Sequence, residues 1–418
     1  MADKSLESKR RETKTAHNYI FSKENVNMGH QSEFDYLKTF NILTMVSIHI
    51  YVNYSRDFFF EIIDFLSFIL GAGGFMMLMG IAMKYSRHQE SSYYISRGIL
   101  LLTQGQCVNL IRNALPSLIA WWTTGNKIFI SRALLFLQTD IFIFAGISFF
   151  LLALLKKMKL SDRFIMNIGI IMNIAAFLLY KIMKPLKSFL LSQLLGFFVL
   201  TNAEAYFPFC SYFIFVAIGY WLGGIYQKIS NKDKFYNNIL IVCLPIVTIY
   251  YYLRMNYNFP MFPECGYNEH YCLFPGPDAI ATCLVNLIAL ALFYKIDMFL
   301  KGNTPYFVKH SGKNLNQYYM IHYTLIMQIN TFLRATKGDD FPSKMKYPFL
   351  FAIFITFLCK IIIDMNHKYI HFTITHLKNP SKNIVFSIIW IMTIICVIYI
   401  YPKVETYTTF WNNYLYEN

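Results

Sequence analysis

The chain has 418 residues, 56% of them hydrophobic and only 15% charged, with a mean hydropathy of +0.38. A soluble protein of this length needs a polar surface around two or three cores, and this composition does not supply one. Nor does the formal charge of +15 describe a nucleic-acid binder, because Lys and Arg are scattered in short segments between apolar runs and form no single face. The expected fold is all-α: a polytopic integral membrane protein of about 10–11 transmembrane helices, set in a lipid bilayer around a polar cavity.

Residues 1–33 are polar and carry the basic run KRRETK. They lack the apolar core and small-residue cleavage site of a secretory signal, and are expected to form a disordered cytoplasmic tail. Stretches long enough to cross a bilayer follow at 36–54, 63–83, 95–120, 133–155, 164–181, 206–226, 237–253, 277–299, 315–334, 347–364 and 383–401. Together they define a membrane domain over 34–401, with a C-terminal tail at 402–418. The run 188–200 is short for a crossing and suits a re-entrant or interfacial segment; if it does cross, everything after it inverts.

Counting Lys and Arg in the connections favours a cytoplasmic N-terminus. Lys84, Arg87, Lys156, Lys157, Lys159 and Arg163 then lie inside with the tail. Two basic patches, Lys181/Lys184/Lys187 and Lys337/Lys344/Lys346, fall outside against the trend. The same orientation puts Cys265 and Cys272 in an outer, Pro-rich loop, where a disulfide is one expectation. A metal site with His270 has no second ligand pair to support it. The other six cysteines fall in or beside apolar spans as bystanders.

The first span, FDYLKTFNILTMVSIHIYVNY (34–54), opens with Asp35 and Lys38 and places His49 at membrane depth. An ionisable group there is a functional-site candidate by default. On a helix Lys38 and His49 share a face, about 20° apart in azimuth and about 16 Å along the axis. The third span carries Arg97, Gln104, Gly105, Asn109 and Arg112 within an arc of about 140°. A set of this kind turns to the bundle interior or a wet cavity, while Gly105 and the GAGG run at 71–74 suit close helix approach. Asp140 in the fourth span wants a cationic partner, for which Arg112 and Lys38 are both available; a structural ion pair and a catalytic role are equally open. His322, beside Tyr318 and Tyr319, is the second deep histidine. The remaining histidines, His310 among them, are assigned to tails and loops. No phosphate-binding loop, dinucleotide fingerprint, zinc pattern or nucleophile elbow is present.

The first-span segment FDYLKTFNILTMVSIH resembles the first-helix signature of the transmembrane acyltransferase superfamily: an acidic residue, a basic residue three on, then an intramembrane His. ISRGILLLTQGQCVNLIR resembles the family's Arg-Gly helix, and GKNLNQYYMIHYTLI its late Gly-Arg…Tyr…His segment. The heparan-alpha-glucosaminide N-acetyltransferase-like branch is the nearest in arrangement, with the acyltransferase-three family beside it. Lys38 and Lys313 stand where that pattern has Arg, and Asn314 where Ser is common. Lys keeps the charge but loses the planar fork that grips phosphate bidentately.

The resemblance implies an acyl-CoA-dependent O- or N-acyltransferase in the plasma membrane. Its donor would be acyl-CoA, expected to be acetyl-CoA, arriving from the cytoplasm, and its acceptor a hydroxyl or amine of a glycan or other small molecule. No metal is implied. His49, Asp35 and His322 would be catalytic, with His49 the general base. Lys38, Arg97, Gln104, Asn109, Arg112 and Asp140 would bind the donor. Two other classes compete. A proton-coupled transporter or flippase uses the same intramembrane residue types, although neither an internal repeat nor paired broken helices is visible. A non-catalytic membrane scaffold would bind no coenzyme A.

Overall fold

The computed structural model of the chain describes residues 19–182, 195, 197–199, 207–257, 276–370 and 383–404. It is an all-α, multi-pass membrane protein: among the described residues, eight segments are helical, long and apolar enough to cross a bilayer. Each expected span is mainly helical, but the fourth is interrupted at residues 138–140.

Helix α1 (Ser32–Asn53) is the first crossing. The second is α2 (Phe60–Leu66) and α3 (Ala72–Tyr85), joined by a π-helical turn at Ser67–Gly71. The third, read from sequence as one helix, is α4 (Ser91–Asn109), a π turn at Leu110–Ala114, and α5 (Leu115–Thr124). Gly125 ends it with φ +68°, a left-handed conformation that suits glycine. The fourth is broken: α6 (Lys127–Ala133) runs into a 3-10 turn at Leu134–Leu137, residues 138–140 are not helical, and α7 (Ile141–Lys157) starts afresh. Then come α8 (Asp162–Ile182), α9 (Phe209–Tyr226), α10 (Lys232–Tyr257) and α11 (Gly276–Phe299). Short α12 (Tyr306–Lys313) leads through Asn314 into α13 (Leu315–Lys337). Last are α14 (Pro348–Met365) and α15 (Asn383–Ile400).

Helix α1 is enclosed by α3, α11, α12, α13 and α14. It runs parallel to α12–α13: Thr39 bonds Ser311, His49 bonds His322, and the Asn53 carbonyl accepts from Asn330. The largest apolar cluster gathers on α3, α7, α9 and α11. There α3 and α9 cross backbone to backbone. A Cβ on Gly80 would stand 2.2 Å from the Val216 carbonyl oxygen, and one on Gly219 would stand 2.1 Å from that of Met77.

Ion pairs collect at the two ends of the bundle. Lys84–Asp162 (2.6 Å), Lys232–Glu33 (2.9 Å) and Lys295–Asp233 mark the Lys38 end, and Arg254–Asp278 (3.1 Å) marks the other. Residues 19–33 depart from the expected free tail. Phe21 bridges Ile229, the Val26 amide donates to the Gln227 carbonyl at 2.9 Å, and Tyr85 Oη donates to the Asn27 carbonyl at 2.9 Å. This stretch has the turn after α9 to pair with, which composition alone does not reveal. The membrane domain likewise extends past 401: residues 401–404 form a 3-10 turn and Val404 is buried. The pair Cys265/Cys272, His270 and most of 188–200 lie outside the described residues.

Candidate active site

In the last turns of α1, His49 Nδ1 lies 2.9 Å from His322 Nε2, with the two rings nearly parallel. His322 Nδ1 lies 2.8 Å from the Tyr318 carbonyl oxygen, one helical turn back on α13. A carbonyl can only accept, so in the neutral pair His322 Nδ1 carries the hydrogen and its Nε2 is the acceptor. His49 Nδ1 must then donate, which leaves the lone pair on His49 Nε2. No donor among the described residues is bonded to that nitrogen. His322 is fully buried and His49 is half-buried. The backbone of α13 thus sets the tautomer of a histidine on α1, through one intervening ring.

Tyr323 stacks on His49 with ring centroids 4.4 Å apart, and the Arg112 guanidinium carbon sits 4.2 Å above the Tyr323 ring. Arg112 and Asp140 are 1% and 3% exposed. Their Nη1···Oδ2 separation is 3.6 Å, long for a hydrogen bond. Arg112 Nε and Nη1 and Asp140 Oδ2 therefore keep hydrogen-bonding capacity, with no bond made on them among the described residues. Tyr319 adds a side-chain contact to Arg112. Asp140 is also the N-cap of α7: its Oδ1 accepts from Phe142 N (3.0 Å) and Ile143 N (3.2 Å). A carboxylate at a helix N-terminus is favoured by the dipole as well as by the bonds.

Non-helical backbone at membrane depth must find partners inside the protein, and the break before α7 finds them on the third crossing. Asn109 Nδ2 donates to the Gln138 carbonyl (2.8 Å), Asn113 Nδ2 to that of Leu135 (3.0 Å), and Gln106 Nε2 to that of Phe136 (3.5 Å). Gly105 lets the broken end come this close, since a Cβ there would stand 3.2 Å from Asp140 Oδ1. Arg112 lies inside the π turn at Leu110–Ala114, so the arc of polar positions drawn on an ideal helix does not hold past Asn109.

A cavity of about 320 Å³ lies between α1, α3, α4, α7 and α13. Lys38, Arg97 and Asn316 supply its polar side, Phe75, Leu78, Met79, Leu101 and Phe149 its apolar walls, and Phe142 and Tyr319 also line it. Tyr319 is shared with the centre, its ring meeting that of His322 edge-on at 5.8 Å. A second cavity of about 250 Å³ shares Lys38 and Ser86 and is walled by Gly29, His30 and Gln31 of the N-terminal segment.

The sequence-derived residues therefore divide. His49, His322, Arg112 and Asp140 are brought together, and Lys38 and Arg97 line the cavity. Asp35 is not with them: it lies fourteen residues before His49, about 21 Å down the helix axis. There it holds Lys38 (3.1 Å) and His30 (3.0 Å) and packs on Gly312. Asn109 is committed to the Gln138 carbonyl, and Gln104 is buried on α4 away from both cavity walls.

His310, assigned from sequence to a loop, is instead buried on α12. Its Nε2 lies 2.9 Å from Asp364 Oδ1 and its Nδ1 3.2 Å from the hydroxyl of Tyr318, whose carbonyl holds His322. Asp364 ends an apolar span and pairs through its other oxygen with Lys360 (2.6 Å), so the sequence held no clear signal for His310. Tyr323 left no signal beyond its place next to His322. Among the described residues no His, Cys, Asp and Glu cluster has the makings of a metal site. No protein-family model, no curated relative and no solved structure matches this chain, so the activity of the site is argued from its own residues.

Proposed function

We propose that the chain is a membrane-embedded acyltransferase that moves an acyl group, of which acetyl is the simplest, from acyl-CoA to a hydroxyl or amine of a glycan or other small acceptor. One observation carries this: a histidine pair with a single oriented lone pair, on His49 Nε2, shares the Tyr323 ring with the buried guanidinium of Arg112, whose N–H groups are unspent. The basic cavity ends one aromatic ring away. His49 takes the proton of the acceptor as its oxygen or nitrogen attacks the thioester carbon. As that bond forms and the C–S bond breaks, the same proton goes from His49 to the leaving thiolate. His322 keeps the tautomer and spreads the charge that His49 gains. Arg112, buried and only loosely held by Asp140, offers N–H donors to the oxyanion that develops in between.

Lys38 and Arg97 fit the phosphates of the donor. The donor side is then the Lys38 end of the bundle, which the basic connections make cytoplasmic. A cell-surface glycan acceptor would place the protein in the plasma membrane. Purified protein in detergent is the test: with acetyl-CoA and a sugar acceptor it releases free coenzyme A thiol, and His49→Ala at equal abundance does not. A transferase needs no sealed compartment, whereas a carrier does.

The broken fourth crossing favours a second reading, a proton-coupled carrier, since interrupted helices build transport sites at mid-membrane. Proton-driven uptake by sealed vesicles, with no thiol release in detergent, would establish the carrier and overturn the transferase.

A further inference from the structure

About 12 Å along α1 from His49 lies a second set of polar groups that the mechanism leaves unused. Asn41 of α1 and Asn286 and Thr282 of α11 are each 0% exposed. Both side-chain atoms of Asn41 and Oδ1 of Asn286 have no hydrogen-bond partner among the described residues, and Oγ1 of Thr282 is met by Tyr251 alone. The two asparagines meet at Gly74 of α3, with Thr282 one residue away at Gly73. A Cβ on Gly74 would stand 2.3 Å from Asn286 Oδ1 and 2.9 Å from Asn41 Nδ2, so only glycine leaves this space open. The π turn at Ser67–Gly71 adds a backbone group, the Ile69 carbonyl, which accepts from Asn286 Nδ2 at 3.4 Å. Asn286 is near the midpoint of α11, so these groups lie at mid-membrane, where an unmade hydrogen bond costs most.

The atoms define what fits. Asn41 offers two N–H donors, Asn41 and Asn286 offer carbonyl oxygens, and Thr282 does both. The nearest acid along α11, Asp278, is already held by Arg254 (3.1 Å) and Tyr250 (2.6 Å). A cation would satisfy the oxygens, repel the Asn41 amide hydrogens, and find no counter-charge. An anion would face the carbonyls. The occupant must be neutral, small, and both donor and acceptor: water answers all three.

Asp278, Thr282 and Asn286 are spaced four residues apart, one turn each along a single face of α11. Tyr251 of the neighbouring α10 brings a further buried hydroxyl up to Thr282. We infer that α1, α3, α10 and α11 enclose a water-bearing polar seam, running from the Arg254–Asp278 end of the bundle to Asn41 at mid-membrane, distinct from the cavity at Lys38.

Two measurements test it on the full chain. A density map that resolves ordered water should show a peak within hydrogen-bond distance of Asn41 and Asn286. In membranes, Thr282→Cys on a Cys283→Ala background should react with a membrane-impermeant thiol reagent from the side on which an Arg254→Cys control reacts. The label is read on its own peptide by mass spectrometry, and the rate should exceed that of Phe213→Cys in the apolar core at least tenfold. No peak, or a rate no faster than Phe213→Cys, overturns the seam. A sodium-specific rise in melting temperature, measured against choline at equal ionic strength and lost in Asn41→Leu, would overturn water in favour of a bound cation.

Discussion

Helices α13 and α15 are similar in length and opposite in construction. In α15 only 11% of the most apolar stretch is buried, and its Ile and Met side chains face outward nearly all round. Helix α13 is not among the eight segments apolar enough to qualify as a span; nor are α1 and the α4–α5 crossing. Those three carry His322, His49 and Arg112. Apolarity lost on one side of a crossing has been traded for polar groups that meet one another inside, and the lipid-facing helices α10 and α15 keep the ordinary composition. Hydropathy alone would discard the crossings that hold the chemistry.

The sharpest test of that contrast is to make an inner helix as apolar as an outer one. His49→Ala should lower kcat of acyl transfer by about 10²–10⁴-fold, the usual worth of a positioned general base. Steady-state turnover at equal abundance checks it. His322→Ala should cost less, because His49 keeps its own lone pair and loses only its orientation. Equal effects of the two would make the pair a single unit in catalysis.

Next in size is the buried ion pair. Asp140→Ala strands Arg112 without a counter-charge inside the bundle and should destabilise the fold by about 3–5 kcal/mol. Asp140→Asn keeps an acceptor for the Phe142 and Ile143 amides and should recover about 1 kcal/mol of that loss. Thermal unfolding in one detergent separates the two. If both variants unfold at the wild-type midpoint, Asp140 and Arg112 are not a structural pair.

At the cavity the expected loss is smaller and of another kind. Lys38 is already held by Asp35 and stands partly in solvent, as a group that captures an anion should. Lys38→Gln or Arg97→Gln should each raise the KM for acyl-CoA about tenfold, about 1.4 kcal/mol, with kcat unchanged. A fall in kcat at constant KM would move these residues from binding to chemistry.

Much of this was legible in the chain. Eight crossings follow from length and apolarity, and the depth of His49, His322, Arg112 and Asp140 marked the residues that the other three carry or face before any coordinates. The rest depended on partners distant in sequence. Asp35 and His49 are grouped by residue type but stand about 21 Å apart along α1, a matter of axial rise that a list of residue types conceals. Asn109 looked like a ligand for the donor because nothing in the chain announces that residues 138–140 break the next crossing and need its amide. The π turn around Arg112 has no composition of its own, so an ideal helical wheel goes out of phase there. His310 looked like a loop residue because its partner, Asp364, is 54 residues away.

That last contact yields the smallest and most specific expectation. His310 sits on α12 at the Lys38 end of the bundle, and burial pulls its imidazole below its ordinary value near 6.5, against the opposing pull of the Asp364 carboxylate. A base whose value is lowered by folding stabilises the protein fully above the ordinary value. That contribution begins to drain once pH falls past about 6.5 and is gone below the lowered value. The unfolding midpoint should therefore decline as pH drops from 7 towards 5, and His310→Gln should flatten this part of the profile. The Lys38 and Arg97 variants should leave its slope untouched, since neither charge contacts the ring. Because Tyr318 lies between His310 and His322, the same acid limb should appear in the pH dependence of turnover. A His310→Gln enzyme with an unchanged acid limb would show that the two histidines share a tyrosine without sharing a function.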